Sequence, residues 1–83
     1  MVNIRLKIES KGAYRVLDDF DEKYYSKNED GSFIVQTRLP DGDWLINYIL
    51  SYGSVAEVLE PESIRELVRE SLKNTLKKYD KVI

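Results

Sequence analysis

The 83-residue chain contains no cysteine and no histidine. Without cysteine there is no disulfide framework and no thiolate chemistry. A small secreted domain usually leans on such cross-links, so their absence favours a cytoplasmic setting. Without histidine, every mechanism that needs an imidazole base, ligand or switch near neutral pH is closed. The seven serines therefore have no imidazole to activate them. The four glycines are isolated, so no glycine-rich phosphate loop exists. No apolar run approaches the roughly 20 residues of a membrane span. No basic-then-apolar leader opens the chain. A catalytic site needs a nucleophile, a base and a pocket together, and no motif here supplies them. The expectation is a single small domain without enzymatic activity, cofactor or metal.

What is present is charge, unevenly placed. The net charge is −2, which argues against a general nucleic-acid coat. Residues 1–60 carry seven Lys and Arg against eleven Asp and Glu, whereas residues 61–83 carry six against four.

Apolar periodicity gives the elements. Val2, Ile4, Leu6 and Ile8 alternate with polar residues, the period of a strand with one buried face. Ser10 is placed to cap a short helix over 11–19, built on Ala13, Tyr14, Val16 and Leu17. Residues 22–28 read as a weaker strand. Asn28-Glu29-Asp30-Gly31 reads as a turn in which glycine supplies a positive φ. Phe33, Val35, Thr37 and Leu39 then alternate with Ile34, Gln36 and Arg38, completing a hairpin. Asp41 or Asp43 is placed to cap a helix running to about Tyr52, with Gly53 as its stop. Residues 55–60 form a strand closed by Pro61. Ser63-Ile64-Arg65-Glu66 has the spacing of a capping box for a long amphipathic helix reaching the C-terminus. The order predicts an α+β fold: a ferredoxin-like βαββαβ sheet with helices on one face, plus an additional long C-terminal helix. The first strand begins directly after Met1, so residues 1–83 read as one domain cut from a longer polypeptide.

Three surfaces are candidates for function. The helix after Asp43 is apolar over about two-thirds of its circumference, more than one sheet covers. Trp44, Tyr48 and Tyr52 form one stripe of it, a candidate dimer or interdomain interface, since aromatic anchors dominate such contacts. On the sheet, if Ile4, Leu6 and Val35 point inward, then Arg5, Lys7 and Arg38 share the outer face. Like charges side by side destabilise a sheet, so this face suits an anionic ligand or an acidic partner. No aromatic stands among its outward positions, which argues against a base-stacking RNA reader. The last helix carries Arg65, Arg69, Lys73 and Lys77 at spacing four, with Glu62, Glu66 and Glu70 each three residues before a cation. That pattern reads as a salt-laced solvent surface. The acidic groups Asp18-Asp19-Asp21-Glu22 and Asp41-Gly42-Asp43 lack the ligand spacing of a calcium loop and read as solvated loops and caps.

The second half also carries a recognisable series. It runs Asp30-Gly31-Ser32-Phe33-Ile34-Val35, Leu39-Pro40, Asp43-Trp44-Leu45, Ile49-Leu50-Ser51-Tyr52-Gly53, Glu57-Val58-Leu59-Glu60-Pro61 and Ile64-Arg65-Glu66, closing near Tyr79. In this the chain resembles the WCX domain, the C-terminal extension of WYL-domain bacterial transcription regulators. The resemblance implies a ferredoxin-like domain serving dimer assembly and effector response. It also implies a WYL domain of the same parent chain as partner, a homodimer, and DNA contact only through a helix-turn-helix domain that this chain lacks. No catalytic residue carries over. An anionic or nucleotide-like effector is the expected ligand of the Arg5, Lys7 and Arg38 face. The alternatives are a ferredoxin-like sensor of amino acids or nucleotides, using Ser10-Lys11-Gly12 after the first strand, or a purely structural oligomerisation tail.

Overall fold

The computed structural model describes residues 1–80. Four strands, β1 (Val2–Ile8), β2 (Tyr25–Lys27), β3 (Phe33–Leu39) and β4 (Ala56–Glu60), form one sheet. Three helices, α1 (Ala13–Asp19), α2 (Asp43–Leu50) and α3 (Glu62–Tyr79), are joined to it. Single 3-10 turns at Ser10–Gly12, Glu22–Tyr24 and Gly53–Val55 act as connectors. The sheet order is β2-β3-β1-β4, with every neighbouring pair antiparallel. The fold is therefore α+β. The connection through α1 passes over β3, and the connection through α2 passes over β1, so the two crossovers interleave.

The period-two patterns of β1 and β3 meet in register. Ile4 faces Thr37, Leu6 faces Val35 and Ile8 faces Phe33. Alternate side chains of both strands thus point to one side, where Leu6, Ile8 and Val35 are fully buried. Val58 joins them from β4. Val16 of α1, Leu45 and Ile49 of α2, Tyr52 just past the end of α2, and Ile64 of α3 close the cluster. Each large apolar side chain removed from water there is worth roughly 1.5–3 kcal/mol. Gly12 lies at the base of α1, where an added Cβ would stand 2.8 Å from Val55 Cγ2 and 2.9 Å from Ile8 Cγ2. Only glycine allows that approach.

The hairpin turn forms as its residues predict. Gly31 sits at φ 88°, and the Asp30 carboxylate accepts from the Ser32 amide at 2.9 Å and hydroxyl at 2.6 Å. Asn28 donates to the same hydroxyl at 2.9 Å, so buried Ser32 is satisfied.

The helix starts differ from expectation. No aspartate side chain caps α2; Gly42, at φ 100°, is its N-cap, and Asp41 bonds the Gly42 amide instead. The Ser63–Glu66 capping box does not form either, because α3 begins at Glu62 behind Pro61 and places Ser63 inside the first turn. Ser10 starts a 3-10 turn and caps nothing with its side chain. The expected strand over 22–28 is half 3-10 turn, leaving a three-residue β2. The end of the C-terminal helix expected over residues 81–83 lies outside the described residues.

Helix α3 outgrows the sheet. Its 18 residues span about 27 Å at 1.5 Å per residue, against five residues of β4. Ile64 is buried and Val68 and Ser71 are half-buried, but every residue from Leu72 to Asp80 is exposed. The chain accordingly measures 48 × 28 × 20 Å.

Candidate functional site

The apolar arc of α2 is covered from both flanks. Leu45 and Ile49 enter the core, and Ile46 packs against it from the side that faces α3. On the other flank α1 supplies a polar clamp. The hydroxyls of Tyr48 and Tyr52 each donate to Asp19 Oδ2 at 2.7 Å. Arg15 approaches the same carboxylate at 3.5 Å and donates to the Ser51 carbonyl at 2.8 Å. Its guanidinium lies over the Tyr52 ring, 3.8 Å from the centroid.

These contacts set the protonation states. Burial works to raise the Asp19 pKa, but the two tyrosine hydrogen bonds and the Arg15 charge outweigh it and hold the carboxyl below its usual value. Burial, with Asp19 as a secondary cause, pushes the Tyr48 hydroxyl up to about 12. Tyr52 is raised further, again chiefly by burial and then by its bonds to Tyr48 and Asp19.

The three aromatic residues of the candidate interface therefore differ in position. Tyr52 is 6% exposed and inside the domain, whereas Trp44 is 53% exposed. Half-buried Tyr48 links them, its ring stacked on Trp44 at 5.1 Å and 4°. Trp44, Tyr48, Phe20, Tyr24 and Arg38 line an open cleft of about 430 Å³. Sequence periodicity finds the stripe but misses the clamp. Its signal was two i,i+4 pairs, Arg15 with Asp19 and Tyr48 with Tyr52, on consecutive helices.

The outer sheet face does gather Arg5, Lys7 and Arg38. Arg38 faces Asn3, Arg5 faces Gln36 and Lys7 faces Ile34 across the β1–β3 ladder. On the opposite edge, Glu60 pairs with Arg5 at 3.4 Å, and Glu57 stands directly across from Lys7. Glu60 thus offsets Arg5, whereas Glu57 is drawn to Arg65 at 2.9 Å. Arg5 Nε is buried there without a hydrogen-bond partner among the described residues. Lys7 also borders a second cleft, of about 440 Å³, with Ser10, Lys11, Asp30, Ser54 and Glu57. There the Ser32 bonds, and secondarily the Lys7 charge, lower the pKa of Asp30.

Of the salt pairs expected on α3, Glu66–Arg69 forms at 4.0 Å. Arg65 turns away from its own helix to β4. It donates to Glu57 at 2.9 Å and to the Val58 carbonyl at 2.8 Å, which occupies part of the free sheet edge. Among the described residues no group of three or more acidic side chains stands together as a metal site. No helix among the described residues is long and apolar enough to cross a membrane.

The architecture joins an antiparallel sheet, a clamped pair of short helices and a long terminal helix. Set beside known families, residues 1–76 match the sequence profile of the WCX domain. The chain belongs to the WCX family. A WCX-domain chain of this kind also shares 40% identity over 42 residues with an uncharacterized HTH-type transcriptional regulator, YobV, of Bacillus subtilis (strain 168). That stretch is 51% of this chain and 13% of the relative's length. The aligned stretch is thus a small part of that regulator.

Proposed function

We propose that this WCX domain is a non-catalytic regulatory and assembly module of a WYL-type bacterial transcription regulator, working in the cytoplasm. The carrying observation is the family match across residues 1–76. The interleaved crossovers and the order β2-β3-β1-β4 support placing the fold in the ferredoxin-like class. DNA is reached through a helix-turn-helix domain elsewhere in the regulator. The WYL domain of the same regulator is the neighbour for the exposed Trp44 and its stacked Tyr48. The face bearing Arg5, Lys7 and Arg38 meets an anionic or nucleotide-like effector or an acidic patch of that neighbour. The half-buried Arg5 and exposed Arg38 guanidiniums on that face support this assignment, because charge-assisted hydrogen bonds to anions are the strong ones.

A fusion tests the assembly role. The domain is joined to a monomeric DNA-binding domain whose operator is repressed only by dimers. Repression supports the reading, and a silent fusion that is stably expressed refutes it. The effector role is read by thermal shift with nucleotides. A ligand at 100 times its dissociation constant adds about 2.7 kcal/mol of stability. That shift disappears in Arg5→Glu with Arg38→Glu if this face is the site.

One observation favours a second reading, a sensor of small zwitterions. The cleft beside Ser10 and Lys11 carries both Lys7 and Asp30, so it offers both charges that an amino acid needs. A shift with amino acids that Lys11→Glu abolishes separates this reading from the first.

A further inference from the structure

The outer half of α3 is the largest part of the molecule that the fold leaves unused. Leu72, Leu76 and Tyr79 are 53%, 57% and 83% exposed. At 100° per residue, Val68, Leu72, Leu76 and Tyr79 fall within about 80° of arc, so they form one stripe. Its area is on the order of 400 Å², the scale at which an exposed apolar patch marks an interaction site. The inner end of the stripe differs in shape from the outer end. Val68 and Leu72 join Ala56 and Val58 of β4 to line a shallow groove of about 240 Å³. Leu76 and Tyr79 stand beyond that groove as a ridge. One helix thus carries a groove at its start and a ridge at its end.

The charges distinguish the halves in the same way. The inner end holds Glu57, Glu62, Glu66 and Glu70 against Arg65 and Arg69, a net −2. The outer end holds Lys73, Lys77 and Lys78 against Asp80, a net +2. A second α3 laid antiparallel sets −2 against +2 at both ends and opposes the helix dipoles favourably. A parallel arrangement would set like against like. The stripe is therefore complementary to its own reverse, the property that a two-fold interface requires.

We propose that α3 pairs with α3 of a second copy, antiparallel about a two-fold axis near Leu72. Leu76 and Tyr79 of each copy enter the groove beside Val68 and β4 of the other. This rests on the assembly reading above and names its surface, leaving Trp44 and the outer sheet face free for other partners. Two stripes of about 400 Å² with the groove walls bury on the order of 1,000 Å² in total, the range of weak, transient interfaces. A weak, concentration-dependent dimer is therefore expected.

The test uses the 83-residue chain in light scattering across a concentration series. It is followed by disulfide cross-linking of Leu72→Cys, for which the cysteine-free sequence is a clean background. A dimer is expected, cross-linking rapidly at Leu72→Cys and slowly at Trp44→Cys. Leu76→Glu is expected to weaken it about 100-fold or more, as central contacts do. Because Leu76 touches no core residue, the melting of the Leu76→Glu monomer should be unchanged, which separates lost pairing from lost folding. A dimer indifferent to Leu76→Glu, or one linked as fast at Trp44→Cys, overturns the α3 pairing and leaves the assembly role standing. A chain monomeric at several hundred micromolar also overturns it, and repression by the fusion then decides the assembly role separately.

Discussion

Removing one hydroxyl from the α1–α2 clamp should cost far more than its exposure suggests. Tyr52→Phe keeps the ring in the core and beneath Arg15 but deletes the donor that meets Asp19 at 2.7 Å. A hydrogen bond to a charged group is worth about 1.5–3 kcal/mol. The Asp19 side chain keeps 28% of its surface in water, so solvent replaces part of the loss. The expected cost is about 1–2 kcal/mol. For a domain of this size that lowers the melting temperature by roughly 4–16 °C. Chemical denaturation of wild type, Tyr52→Phe, Asp19→Asn and the double variant isolates the pair. The cycle should return a coupling of about 1 kcal/mol. Tyr48→Phe should cost less, since its ring is half-exposed. A Tyr52→Phe variant within about 0.3 kcal/mol of wild type, with no coupling, would refute the view that the clamp fastens α1 to α2.

Other outcomes follow from neighbouring features. Gly12→Ala should destabilise by about 1–3 kcal/mol through the contacts with Val55 and Ile8, and adding Val55→Ala should recover part of it in the same denaturation assay. Ile64→Ala should cost about 2–4 kcal/mol, because that residue anchors α3 to the core, whereas Leu76→Ala should stay within about 0.5 kcal/mol. Stability should also depend on pH at both extremes. The Tyr48 pKa is near 10.0 unfolded and about 12 folded, so its contribution is complete below pH 10 and is lost as pH rises through 12. Asp19 is depressed in the folded state from 3.8. Its contribution is present above that value and disappears as pH falls through the lower folded one. Melting curves in buffers spanning both ranges check the two limbs, and Tyr48→Phe should flatten the alkaline one.

Much of the fold could be read from periodicity. The alternation in β1 and β3 fixed which residues enter the core, and Arg5, Lys7 and Arg38 do share the outer face. Gly31 and the carboxylate of Asp30 specified the hairpin turn. The caps were less legible because they depend on where a helix actually starts, and two residues of displacement took Ser63 out of capping position. The clamp was hidden for a different reason. Arg15, Asp19, Tyr48 and Tyr52 acquire meaning only when two helices lie side by side, which no one-dimensional spacing states. The same limit applies to α3. Leu72, Leu76 and Tyr79 continue the face that begins with Ile64, and the sequence does not say that the sheet ends before they do.

The position of β1 has a consequence for how the chain comes to be folded. β1 lies between β3 and β4, yet it precedes both in synthesis. Its hydrogen-bonding edges stay open until residues 33–39 and then 56–60 have left the ribosome. Closing those long loops comes before any reward from the contacts they enable. A nascent chain arrested before β4 would expose a hydrophobic strand edge, the kind of template that recruits other chains. The domain should therefore be made all at once or not at all, and truncation within α2 should yield aggregate rather than a smaller stable core.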